Sequence, residues 1–96
     1  METIDKYLNE YKENINDFDK AYDILYKLEK YIFEKSLNNF GNPTTAYKHV
    51  YAQMILPLRS NLLSYTYEYI SKAAEEKILN ILIIDLKEKV KQLLWL

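Results

Sequence analysis

Asn16-Asp17-Phe18-Asp19 is the stretch on which the architecture of this chain turns. Apolar residues recur on either side of it in steps of three and four: Ile4, Leu8, Tyr11, Ile15, Phe18, Tyr22 and Leu25, with a second stripe over Ala21, Leu25, Leu28 and Ile32. Such spacing traces one face of a helix. A helix running through the stretch would cover 3–38 and leave a two-helix hairpin. If Asp17 or Asp19 instead caps a new helix by accepting from free backbone N–H groups, the residues divide into helices near 3–15 and 18–38. The break is expected, because a continuous helix of about 35 residues is unusually long for a globular domain.

The second boundary is Asn38-Asn39-Phe40-Gly41-Asn42-Pro43-Thr44-Thr45, which holds the only glycine and one of the two prolines. So few breakers suit long helices and fit a β-sandwich poorly. Asn42 can cap the next helix and Pro43 can occupy its first position, where a missing N–H costs nothing. Pro57 lies inside a helical pattern and predicts a kink or short break near Leu56. Tyr65-Thr66-Tyr67-Glu68-Tyr69-Ile70 alternates like a strand but has no partner strand, so it is expected to end the third helix or form a connector. Ser71 is a candidate cap for the last helix. Glu75 and Glu76 near its start and Lys87, Lys89 and Lys91 near its end follow the helix dipole. Ile78 to Leu86 is apolar nearly all round, the mark of a central, buried helix. The expected fold is therefore all-α, one domain over 1–96, an antiparallel four-helix bundle with a Pro-kinked third helix. The expected spans are near 3–15, 18–38, 44–69 and 72–94, and the core should include Ile15, Leu25, Leu28, Ile32, Val50, Met54, Leu62, Ile78, Leu82 and Leu86.

Composition narrows the function. Thirteen basic residues against fourteen acidic give a net charge of −1, which argues against a general nucleic-acid binder. The absence of cysteine removes disulfides, thiol nucleophiles and thiolate metal sites. His49 is the only histidine, and no carboxylate spacing gathers ligands around it. The serines at 36, 60, 64 and 71 lack a nucleophile elbow, and one glycine cannot build a phosphate-cradling loop. No catalytic, cofactor-binding or metal-binding residues are expected, and no small-molecule substrate. The acidic, amphipathic start does not resemble a secretory signal, and no window reaches the roughly 20 apolar residues of a membrane span. A cytoplasmic location is the expectation.

What remains is a surface for a partner. Ten tyrosines are many for 96 residues, and tyrosine suits core edges and interfaces. No helix face can bury Tyr65, Tyr67 and Tyr69 together, so at least one is expected outside. The terminus, Lys87-Glu88-Lys89-Val90-Lys91-Gln92-Leu93-Leu94-Trp95-Leu96, is basic and then strongly apolar. Either its leucines complete the core with Trp95 on an edge, or it forms a patch for a membrane surface or membrane protein. Residues 1–42 carry 9 acidic and 6 basic side chains and residues 43–96 carry 5 and 7. The second half is thus the side better suited to an acidic or lipid surface. Tyr65, Tyr67, Tyr69, Lys87, Lys91 and Trp95 are the candidate partner-binding residues.

Tyr22-Asp23-Ile24-Leu25-Tyr26-Lys27-Leu28-Glu29-Lys30 resembles the second helix of the immunity proteins that accompany pediocin-like (class IIa) bacteriocins, of the enterocin A immunity type. The loop with Pro43 falls where that family breaks between its second and third helices. Ile70-Ser71-Lys72-Ala73-Ala74-Glu75-Glu76 is similar to the opening of its fourth. The segment 47–69 matches mainly in hydrophobic pattern. The resemblance implies a cytoplasmic antiparallel four-helix bundle that protects the producer cell. Such a protein binds, from inside, the bacteriocin-engaged sugar transporter of the mannose phosphotransferase system, with specificity in the C-terminal half and no catalytic residues. Two alternatives stand beside it. One is a small intracellular or phage-encoded helical regulator acting through a helix face. The other is a WXG-type secreted helical hairpin, to which Phe40-Gly41 and Thr45-Ala46-Tyr47 bear some likeness, although the expected Trp is absent and Pro57 interrupts the second helix.

Overall fold

Asp17 breaks the first helical pattern. In the computed structural model of the protein, which describes residues 2–94, α1 covers Glu2–Glu13 and α2 covers Phe18–Ser36. The Asp17 backbone is extended and its side chain accepts from Lys20 N at 3.2 Å, satisfying one of the donors a helix start leaves free. A two-helix hairpin is therefore not what this chain forms. α2 runs into a short 3-10 turn at Leu37–Asn39.

Asn42 and Pro43 then start α3, Pro43–Val50, with the Asn42 side chain accepting from Thr45 N at 2.8 Å. The disturbance expected near Leu56 takes the form of a π-helical segment, Tyr51–Ile55, followed without a gap by α4, Leu56–Tyr67. Pro57 explains its place. The ring has no N–H for the carbonyl of Gln53 one turn back and crowds it, so the ladder widens ahead of the proline. The Gln53 carbonyl accepts instead from Lys89 Nζ of the last helix at 3.1 Å.

The alternating stretch 65–70 is a helix end and not a strand. Glu68 takes the left-handed conformation, with φ 54°. Its N–H reaches Tyr65 O, and Tyr69 N–H reaches Ser64 O at 3.2 Å. These two bonds are the pair that closes a helix through a left-handed residue, a place glycine usually fills. Ser71 Oγ then accepts from Ala74 N and opens α5, Lys72–Leu94. The described residues contain no strand and make four helical rods, with α3, the π segment and α4 forming one of them.

α2 is the centre of this arrangement, since every other helix packs against it. Ile24, Leu25, Leu28 and Ile32 of α2 meet Ile4, Leu8 and Tyr11 of α1, Val50, Met54, Leu58 and Leu62 of the third rod, and Leu79, Ile83, Leu86 and Val90 of α5. Each large aliphatic side chain so buried contributes roughly 1.5–3 kcal/mol. The expectation that α5 is the central helix is corrected. It buries one face only, and Ile78, assigned to the core from sequence, is exposed while Leu82 lies at the core's edge. The Cα radius of gyration is 13.3 Å.

Candidate interaction surface

α5 decides where the apolar surface lies. Its buried positions, Glu75, Leu79, Ile83, Leu86 and Val90, advance by four, four, three and four. That register turns Ile78, Ile81 and Ile84 outward, and the last two are 66% and 69% exposed. α4 adjoins α5 and presents exposed Leu56 and Leu63. The two helices are tied by a buried polar cluster. Glu75 accepts from Asn61 Nδ2 at 2.6 Å and from the Ser64 hydroxyl, and the Asn61 amide also donates to the Glu75 carbonyl. At the other end of α4, Lys89 bridges Gln53 O and Asp85.

The tyrosine cluster splits. Tyr67 and Tyr69, 65% and 75% exposed, stack on each other with ring centroids 6.1 Å apart. They flank the left-handed Glu68, and exposed Ile70 follows. Tyr65 leaves the candidate set. It is 6% exposed, and its hydroxyl donates to Asn16 Oδ1 at 2.9 Å, tying the end of α4 to the α1–α2 turn. It lies one turn beyond Asn61 and Leu62, on the covered side of α4.

The basic candidates are at the far end of α5. Lys91 is exposed, but nineteen positions beyond Lys72 it lies about 28 Å along the helix from the tyrosine end at 1.5 Å per residue. Lys87 is half-buried and engaged with Asp5 of α1 at 3.2 Å. Trp95 lies outside the described residues. The five described candidates therefore do not form one site. Tyr67 and Tyr69 mark one end of the α4–α5 surface, and Lys91 belongs to the other.

His49 is exposed against the Phe40 ring, on the lip of a cleft lined also by Asn39, Gln53, Lys89 and Leu93. Two of its polar side chains already bond within the chain, Asn39 to Leu93 O and Lys89 to Gln53 O. Among the described residues no three His, Asp or Glu side chains gather to hold a metal. No described helix is long and apolar enough to cross a membrane.

Sequence reasoning missed two clusters. One is the Glu75–Asn61–Ser64 cluster. The other surrounds Arg59, whose guanidinium lies 4.7 Å from the Tyr22 ring centroid and 5.3 Å from that of Tyr51. A signal existed for each. Arg59 is the only arginine among thirteen basic residues, and its flat cation stacks where a lysine would not. Glu75 and Glu29 sit in register with apolar stripes, four residues from Leu79 and Leu25.

Comparison of the chain with known protein families, with curated proteins and with solved structures finds no match.

Proposed function

We propose that this protein works by binding and not by catalysis, and that its working surface is the outward face of α4 and α5 with Tyr67 and Tyr69 at one end. The observation that carries this is the run Ile78, Ile81 and Ile84. Three isoleucines are turned to solvent on the helix that also supplies one wall of the core. Exposed apolar runs of this kind mark interaction sites, and rigid tyrosines are favoured contact residues.

The partner we infer is a membrane-embedded protein met from the cytoplasmic side. The four rods are read as an antiparallel four-helix bundle, and the function as bacteriocin immunity through the bacteriocin-engaged sugar transporter, with no cofactor and no nucleic acid. Support comes from the resemblance of 22–30 and 70–76 to pediocin-like immunity proteins and from the position of the apolar face in the C-terminal half.

A protection assay tests it. The chain is expressed in a sensitive lactic-acid bacterium and challenged with a panel of pediocin-like peptides. Resistance to one or a few peptides is expected, and the double variant Ile81→Lys, Ile84→Lys should lose it while remaining folded. No resistance from abundant, folded protein rejects the immunity function and leaves the helix-face regulator. Resistance retained by the double variant rejects the surface.

A further inference from the structure

α2 and α3 leave a cleft of about 260 Å³ whose walls are the rings of Tyr26, Phe33 and Tyr47. Glu29 lies among these rings, and exposed Lys30 and Glu34 complete the lining. The walls are braced. Tyr47 stands edge-on to Phe33 at 6.3 Å and stacks on Tyr51 at 6.1 Å, with planes 9° apart.

Glu29 is 6% exposed, and its Oε2 has no hydrogen-bond partner. A buried carboxylate oxygen without a donor is costly, and such groups call for an explanation. Arg59 makes no hydrogen bond to it, although the Arg59 Nε is itself buried without a partner. Its guanidinium is held between Tyr22 and Tyr51 and donates to the Tyr51 hydroxyl at 3.4 Å. The ion pairs among the described residues all form elsewhere.

Aromatic faces attract cations electrostatically, and the Glu29 carboxylate beside them adds negative charge that Arg59 offsets only in part. The cleft is smaller than the roughly 300–1,000 Å³ of drug-sized ligand pockets, so it suits a head group and not a large molecule. We propose that this cleft binds an alkylammonium group, whose N–H donors meet Glu29 while its methylenes lie against Tyr26, Phe33 and Tyr47. The site is independent of the α4–α5 surface.

Titration of the whole protein with n-butylammonium chloride at constant ionic strength tests this, followed through the aromatic proton resonances of Phe33 and Tyr47. Saturable shifts confined to the cleft are expected, with a dissociation constant on the order of 1 mM. Glu29→Gln keeps the side-chain shape and removes the charge, and it should weaken binding about tenfold or more. Tyr47→Leu should weaken it several-fold, and circular dichroism checks that both variants fold. A blocked Ala-Lys-Ala peptide separates two sources of the same chemistry. Tighter binding than butylammonium assigns the cleft to a lysine displayed by another protein, and weaker or equal binding assigns it to a free amine. Failure of both probes to give saturable shifts, equal shifts from n-butanol, or unchanged affinity in Glu29→Gln would each overturn the proposal.

Discussion

Tyr65 and Tyr67 are two positions apart and have opposite surroundings. Sequence parity foretold the split, because positions two apart on a helix point in different directions. It could not tell which would be covered, since that depends on where α2 and the α1–α2 turn come to lie. Tyr65→Phe removes the bond to Asn16 and should lower stability by about 1 kcal/mol in denaturant unfolding. Tyr67→Ala should change stability by no more than about 0.5 kcal/mol. A loss of several kcal/mol would place its ring in the core after all. Glu29 makes a prediction with a sign. Burial raises its pKa above the ordinary 4.5, and the Arg59 charge opposes that rise only in part. The folded state therefore holds its proton at a pH where the unfolded chain has released it. The stabilising contribution is complete below pH 4.5 and is lost as pH rises through the folded value. Glu29→Gln should accordingly gain melting temperature relative to the parent at pH 7 compared with pH 4, and an equal difference at both pH values would count against the burial effect.

Helix ends were well marked in the chain because caps are local chemistry. Asp17, Asn42 and Ser71 each accept the backbone N–H three residues on, and a single residue type at a single position suffices to suggest this. Asp17→Ala should cost about 1 kcal/mol, read from the shift of the chemical denaturation midpoint. The opposite change is available at the end of α4. Glu68 holds φ 54°, a conformation that costs an L-residue roughly 1–2 kcal/mol. Glu68→Gly should raise stability by about 0.5–1 kcal/mol after the greater freedom of unfolded glycine is counted. The exposed Lys72–Glu68 pair is worth little against that gain. A fall in melting temperature would show that Glu68 makes a stabilising contact beyond its backbone role. The burial of α5 was not readable in the same way. Periodicity reports which residues share a face, but Ile78, Ile81 and Ile84 are apolar on a face that no neighbouring helix covers.

The choice of the central helix is a property of the entire packing. α2 meets every other rod and α5 closes one side, so the longest helix of the protein contributes both core and surface. Solution scattering should return a radius of gyration near the 13.3 Å of the Cα trace. A much larger value, such as a two-helix rod would give, would contradict the α1–α2 break. Ile81→Lys with Ile84→Lys should leave the melting temperature nearly unchanged, since neither side chain is part of the core. The partner surface was only half visible beforehand. Tyrosines in alternation announced themselves at one end, while the isoleucines that extend the surface were indistinguishable in type from those that fill the core.

The π segment leaves the third rod one residue longer than its winding requires. Ala46, Val50, Met54, Leu58, Leu62 and Tyr65 are all buried, and they span five turns in nineteen residues, about 3.8 per turn against 3.6 for an α-helix. Eighteen residues would make the same five turns at about 3.6 each. The rod thus holds one residue of slack, and Pro57 is what takes it up. Loss of exposed Ala52 would bring the six side chains back to a regular winding but would also return the Gln53 carbonyl to the Pro57 ring, whereas loss of Ser60, outside the segment, would throw Leu62 and Tyr65 out of phase with the turns before them. The extra residue is what lets a proline stand inside the rod while the side chains beyond it still face the core.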